Sequence, residues 1–116
     1  MKHTIAFITL TLLLTACSHS DVKTSQQIAG VWQVGTGRVT FNSDGTFSTV
    51  KPDGSGTNIF SGTWQVQSGF LDMVLTNVSG PNPKARVGDT KRLQIVSTDA
   101  HHITWEMGGQ TVTWSR

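Results

Sequence analysis

The stretch that decides the fold is FSGTWQVQSGFLDMVL, residues 60–75. Apolar and polar side chains alternate on both sides of the dipeptide Ser68–Gly69. Alternation with a period of two is typical of a strand with one buried face, and Ser-Gly suits a turn. The stretch therefore predicts a β-hairpin whose strands, residues 57–67 and 70–78, turn their apolar side chains to one side.

The same pattern extends in both directions from this hairpin. Short alternating runs are separated by segments rich in Gly, Asn, Asp and Ser, which suit turns. Connections this short join antiparallel neighbours, since a parallel crossover needs a dozen or more residues. We predict strands at residues 30–34, 38–41, 46–50, 57–67, 70–78, 91–97, 102–107 and 110–114, a loop over 51–56 and the longest loop over 79–90.

These elements predict an all-β fold, an antiparallel up-and-down meander of about eight short strands. Closing the meander into a small barrel removes the edge strands that otherwise invite aggregation. A two-layer sandwich is the alternative, and composition does not separate the two. The segment GVWQV at residues 30–34 recurs as GTWQV at 62–66, which supports the hairpins, although hairpins of one composition also resemble each other by chance.

Composition and charge narrow the functional classes. The chain has 116 residues, of which only 14% are charged, against a usual ~25%. Its length suits one domain with a modest core, and it excludes a multidomain enzyme. The net charge of +2 rests on few groups, so nucleic acid is not an expected partner.

The N-terminus carries a localisation signal. Lys2 and His3 precede an apolar run over residues 5–14, which fits a signal peptide and is shorter than the ~20 residues of a membrane-spanning helix. The run ends in Leu14–Thr15–Ala16–Cys17, which resembles a bacterial lipobox. We therefore predict a lipoprotein signal peptide over 1–16, a lipidated Cys17 with a flexible tether over 17–27, and a folded domain over 28–116.

The predicted partner of Cys17 is a membrane. Each buried CH₂ of an acyl chain contributes ~0.8 kcal/mol, so several chains anchor a protein firmly. Ser18, rather than Asp, follows Cys17, and by resemblance to Gram-negative lipoproteins this implies the outer membrane, with the domain facing the periplasm. An ordinary secretory signal with an incidental Cys is the alternative.

Motifs in the folded part resemble those of lipocalins and of the small lipocalin-like barrels of bacteria. Gly30–Val31–Trp32 matches the G-x-W signature of the first lipocalin strand. Asp44–Gly45–Thr46–Phe47 and Gly62–Thr63–Trp64 continue the W…DGTF…GTW pattern of the bacterial proteins. Thr98–Asp99–Ala100 stands where lipocalins have T-D-Y, with Ala100 in the tyrosine position.

The resemblance covers residues 28–116 and implies a barrel in which Arg116 stacks over Trp32. It also implies a non-enzymatic protein with a cavity for a small hydrophobic ligand. The chain departs from the family in its shorter domain, its lack of a disulfide and the absence of a helix after the eighth predicted strand. Short strands imply a shallow barrel.

The inward-facing apolar side chains are the candidate ligand site. An eight-stranded barrel is just wide enough for its own side chains or for one small ligand, so a filled core is the alternative. The candidate ligand-binding residues are Trp32, Phe60, Trp64, Leu71, Met73 and Trp105.

A basic cluster lies in and beside the long loop, at Lys84, Arg86, Lys91 and Arg92. Lys84, Arg86 and Arg92 are the candidate contacts to a protein of the cell envelope, which is the partner expected of a filled-core interaction or inhibitor module. A solvated loop is the alternative. No catalytic group, metal site or cofactor is predicted, because no acid–base pair, nucleophile motif or convergent ligand set occurs in the sequence.

Overall fold

The computed structural model describes residues 21–81 and 83–116. It confirms an all-β fold, preceded by one short helix, α1, over residues 21–28. The predicted signal peptide, 1–16, and Cys17 lie outside the described residues. The strands are β1 (Gly30–Val34), β2 (Gly37–Phe41), β3 (Thr46–Asp53), β4 (Gly56–Gln67), β5 (Phe70–Ser79), β6 (Thr90–Thr98), β7 (His102–Met107) and β8 (Gln110–Ser115).

The strands form one closed barrel in chain order, and each is antiparallel to the next. The barrel closes where β1 meets β8, through a single residue pair, Gln33 opposite Ser115. The structure thus confirms the barrel and not the sandwich. Within the described ranges, no helix has the length and apolar character that crossing a membrane requires.

An up-and-down barrel has two ends, and here they differ. The connections after β2, β4 and β6 form one end, to which α1 is attached; we call it the closed end. Asp21 Oδ2 accepts a hydrogen bond from the Ser68 backbone N–H at 3.3 Å, and the Thr98 hydroxyl donates to Gln27 Oε1 at 2.5 Å. The connections after β1, β3, β5 and β7 form the opposite, open end.

Helix α1 occupies part of the segment that the sequence predicted as a flexible tether over 17–27. The Ser25 hydroxyl donates to the Asp21 carbonyl at 2.8 Å within the helix, and Ile28 at its end is fully buried. Eight residues are too few for a stable isolated helix. Packing of Ile28 and the contacts to the strand connections therefore hold this polar segment helical, and such contacts are invisible in local sequence.

The predicted loop over 51–56 is wrong in its extent. β3 continues to Asp53 and β4 begins at Gly56, so that only two residues turn the chain. The Asp53 carboxylate accepts from the Ser55 backbone N–H and from Asn58 Nδ2, both at 2.7 Å. These hydrogen bonds support a tight hairpin although proline and aspartate, the residue types at positions 52 and 53, have a low propensity for β-strands.

Two indole rings of the core form hydrogen bonds to backbone carbonyls at the closed end. Trp32 is fully buried, and its Nε1 donates to the Ile28 carbonyl at 2.7 Å. Trp64 Nε1 donates to the Asn42 carbonyl at 2.9 Å. The Arg116 guanidinium lies 4.1 Å from the centroid of the Trp32 ring, which confirms the stacking that the family resemblance implied.

Gly62 lies where the backbone of β5 comes very close to β4. The register of the two strands shifts between Ser61 and Gly62, where β5 accommodates an irregularity. A Cβ at Gly62 would collide with the backbone carbonyl of Val74 and come within 3.0 Å of the Phe47 ring. The position therefore requires glycine for space rather than for a positive φ.

Gly62→Ala should lower the free energy of unfolding by about 1–3 kcal/mol, because a backbone carbonyl and a buried ring must move to admit the methyl group. Urea unfolding followed by circular dichroism measures this change. Gly54→Ala is the matched control, since no atom lies within 4 Å of a Cβ there. Equal stability of the two variants would contradict the packing described for β4 and β5.

Candidate functional site

A cavity of about 1010 Å³ lies at the open end of the barrel. It opens to solvent between the β1–β2 turn, the β3–β4 hairpin and the 79–90 loop. Ligand sites typically measure ~300–1,000 Å³ and have apolar walls with a few polar groups. The apolar wall residues are Val34, Val39, Phe47, Phe60, Met73, Leu75, Ala85 and Trp114.

An aromatic layer separates this cavity from the packed half of the barrel. Phe41 stacks on Trp114, with ring centroids 6.3 Å apart and planes at 18°. Trp105 meets Trp114 edge-on at 5.1 Å, and Phe41 meets Trp64 edge-on at 5.1 Å. Trp114 is therefore at once the top of the core and part of the cavity wall.

Two of the six predicted ligand residues line the cavity, and the other four lie in the aromatic layer or in the core beneath it. Phe60 and Met73 line the cavity. Phe60 lies in the half of β4 that is next to the open end, whereas Met73 lies on the neighbouring strand β5 opposite Trp64. The other four belong to the buried core and are not part of the cavity wall: Trp32, Trp64, Leu71 and Trp105.

The three predicted partner contacts do not form one patch. Lys84 lines the cavity, whereas Arg86 is exposed on the loop beside it. Arg92 lies on β6, with its guanidinium 4.2 Å above the Phe70 ring and its Nε 3.6 Å from Asp72 Oδ1. Arg92 is thus occupied on the outer surface of the barrel, away from the cavity wall.

Hydrogen bonds near the C-terminal end of the 79–90 loop hold it to the barrel. The Leu75 backbone N–H donates to the Asp89 carbonyl at 2.9 Å, and the Gly88 N–H donates to the Leu75 carbonyl at 2.8 Å. Asp89 Oδ2 accepts from the Arg86 N–H at 2.9 Å. These bonds hold the loop against β5, so that Lys84 and Asp89 form part of the rim.

Sequence reasoning missed three residues of the cavity that the structure makes prominent: Trp114, Lys51 and Lys91. The sequence contained a signal for the two lysines. Lys51 continues the inward alternation of Phe47 and Thr49, and Lys91 stands two residues before the buried Leu93. Assigning Lys51 to a loop concealed the first of these patterns.

Asp53 is a rim residue whose charge is stabilised by its neighbours. The backbone N–H of Ser55 lowers the pKa of the Asp53 carboxyl below its ordinary value of 3.8. The amide of Asn58 and the charge of Lys84 lower this pKa further. The ionised carboxylate thus favours the folded hairpin.

Because the pKa of Asp53 is lowered in the folded protein, the stability that its carboxylate contributes depends on pH. It is fully present above about pH 3.8 and is lost as the pH falls through the folded-state pKa. Asp53→Ala should therefore be less stable than the parent at neutral pH, and the difference should shrink at about pH 2. Urea unfolding at both pH values measures it.

Asp53→Asn is the matched control for this prediction. It retains an acceptor oxygen for the Ser55 N–H but has no titrating charge. Its stability should lie between those of the parent and Asp53→Ala at neutral pH. A parent–Ala difference that stays constant in acid would show that the charge of Asp53 plays no part.

No metal centre is evident in the described ranges. Across residues 21–81 and 83–116, no group of three His, Cys, Asp or Glu side chains is placed to hold an ion. Asp99, in the Thr98–Asp99–Ala100 motif, instead organises a turn: its Oδ1 accepts from the N–H groups of His101 at 2.7 Å and His102 at 2.8 Å.

Comparison with solved structures identifies the fold as lipocalin-like. A lipocalin-like protein from Bacteroides uniformis superposes with a TM-score of 0.62 at 17% sequence identity. The alignment covers 78% of this chain and 98% of that protein. No family model and no curated protein matches the sequence.

Proposed function

We propose that the protein is a non-enzymatic binding module of the cell envelope that holds one small hydrophobic molecule at the open end of its barrel. The observation that carries this proposal is the cavity of about 1010 Å³, with apolar walls, above a filled core. The lipocalin-like fold, which is typically non-enzymatic, supports binding rather than catalysis.

The cavity walls provide the driving force for binding an apolar molecule. Phe60, Leu75 and Trp114 line the cavity and are only partly buried. Covering apolar surface yields roughly 25 cal/mol per Å², less the cost of immobilising the ligand. An apolar ligand would therefore cover the parts of these side chains that are exposed to solvent in the free protein.

Leu75→Glu should weaken binding of the uncharged fluorescent probe N-phenyl-1-naphthylamine about tenfold or more, because it places a carboxylate on the apolar wall. The measurement is a titration of probe fluorescence against protein. Val74→Glu is the matched control, since Val74 is the adjacent residue and points outward, 38% exposed. If the parent protein does not bind the probe, or if both variants bind as the parent does, the proposed ligand site is wrong.

We further propose that a lipid on Cys17 anchors the barrel to the outer membrane on its periplasmic side. The lipobox-like segment supports the anchor, and Ser18 supports the outer membrane. Asp21, at the start of α1, lies beside Ser68 at the closed end. Four Cα–Cα steps from Cys17 to Asp21 span at most ~15 Å, so the closed end would face the membrane and the open end the periplasm.

Cys17→Ser should move the protein from the membrane fraction to the soluble periplasmic fraction, because it removes the acceptor of the lipid. Fractionation with immunodetection, together with labelling by a radioactive fatty acid, measures this change. Ser18→Ala is the control and should stay membrane-bound and labelled. A Cys17→Ser protein that remains with the membrane would contradict the lipid anchor.

An interaction module for an envelope protein is the second candidate function. The 79–90 loop presents Val87, which is 65% exposed, next to the exposed Arg86. An exposed apolar residue beside a cation on a loop fixed to the barrel is a feature of many contact surfaces. The probe titration separates the two functions, since an interaction module needs no ligand in the cavity.

A further inference from the structure

Resting on the proposed ligand site, we propose that the ligand is an amphipathic anion. Its head group lies at the cavity rim, near Lys51, Lys84 and Lys91, and its apolar part lies against Phe60, Met73 and Trp114. The charge and polarity of these side chains specify the chemistry of the ligand, which the shape of the barrel alone does not.

Two of these lysines occupy inward positions of the barrel wall. Lys91 pairs in register with Met73, and the next inward pair towards the closed end is Leu93 with Leu71, both buried. Lys51 pairs with the buried Asn58 and shares the inward face of β3 with Phe47. Towards the closed end the next inward residues are uncharged, Thr49 and Phe47 on β3 and Leu93 on β6, so the change to lysine occurs where the cavity opens.

The third lysine reaches the rim from the 79–90 loop. Lys84 lies among the cavity residues and close enough to Asp53 to act on its carboxylate. The loop's hydrogen bonds to Leu75 fix its position against β5. Cations from β3, β6 and the loop thus converge on one cavity from three parts of the chain.

The rim carries an excess of positive charge. The three lysines share the cavity wall with only two carboxylates, those of Asp53 and Asp89. Both carboxylates already accept hydrogen bonds from their own turns. Among the described residues, none of the three lysines belongs to an ion pair. A cleft lined by one sign of charge above apolar walls attracts a ligand of opposite charge.

Four ten-carbon probes that differ only in their head group test this inference. The protein is the full chain carrying Cys17→Ser, titrated with decanoate, decyl phosphate, decanol and decylamine by calorimetry. We expect each anion to bind about tenfold or more tightly than decanol, and decylamine to bind most weakly. The preferred anion distinguishes a carboxylate from a phosphate head group.

Charge variants then assign the effect to the rim. Lys91→Glu and Lys51→Glu should each weaken decanoate binding about tenfold and leave decanol binding within about twofold. Lys91→Gln, which removes the charge without reversing it, should show a smaller loss and guards against misfolding. Lys23→Glu makes the same charge change on α1, at the opposite end, and should alter neither affinity.

Two negative results would contradict different proposals. If decanol binds as tightly as decanoate and the rim variants change nothing, the anionic head group is wrong while the ligand cavity stands. If none of the four probes binds the folded protein, the proposed ligand-binding function itself is wrong.

Discussion

Barrel closure depends on the contact between the Arg116 guanidinium and the Trp32 ring, 4.1 Å apart. β1 and β8 meet at one residue pair only, so backbone pairing contributes little to this seam. Arg116 also donates to the carbonyls of Ala29 at 2.8 Å and Gln27 at 3.1 Å, just before β1, and to that of Ala100 at 2.8 Å. One side chain thereby links the end of β8, the start of β1 and the β6–β7 connection, around a ring that is itself fully buried.

The junction between β1 and β8 determines which end of the barrel has a packed core. Trp32 packs at the end that α1 covers, and Ile28 of the helix is buried with it. Phe41 and Trp114 complete the filled half from β2 and β8. Beyond them the strands continue towards the open end, where the inward side chains of Phe60 and Leu75 are only partly buried and that of Lys51 is exposed. The cavity is therefore the part of the barrel interior that its own side chains do not fill, and the packed core at the closed end stabilises the fold.

The fold was more predictable from sequence than the site, for a physical reason. Alternation and turn chemistry are local, and they predicted β1 and β7 at their observed bounds. They also assigned Phe60 and Met73 to the inside. The level along the barrel axis at which the packed core gives way to the cavity depends on which aromatic rings from distant strands meet. Phe41 and Trp114 are one such pair. That depends on barrel stagger, which no short window contains. Helix α1 was missed because long-range packing stabilises it.

The division between a filled and an unfilled half also bears on how such a chain can vary. Substitutions around the rim, in the β3–β4 hairpin or the 79–90 loop, lie far from the contacts of Trp32 and Arg116, and distant sites usually contribute to stability independently. The residues that line the mouth of the cavity are consequently separable from those that decide whether the chain folds. The mouth of such a barrel can therefore change its shape and charge while the contacts that close the barrel stay the same.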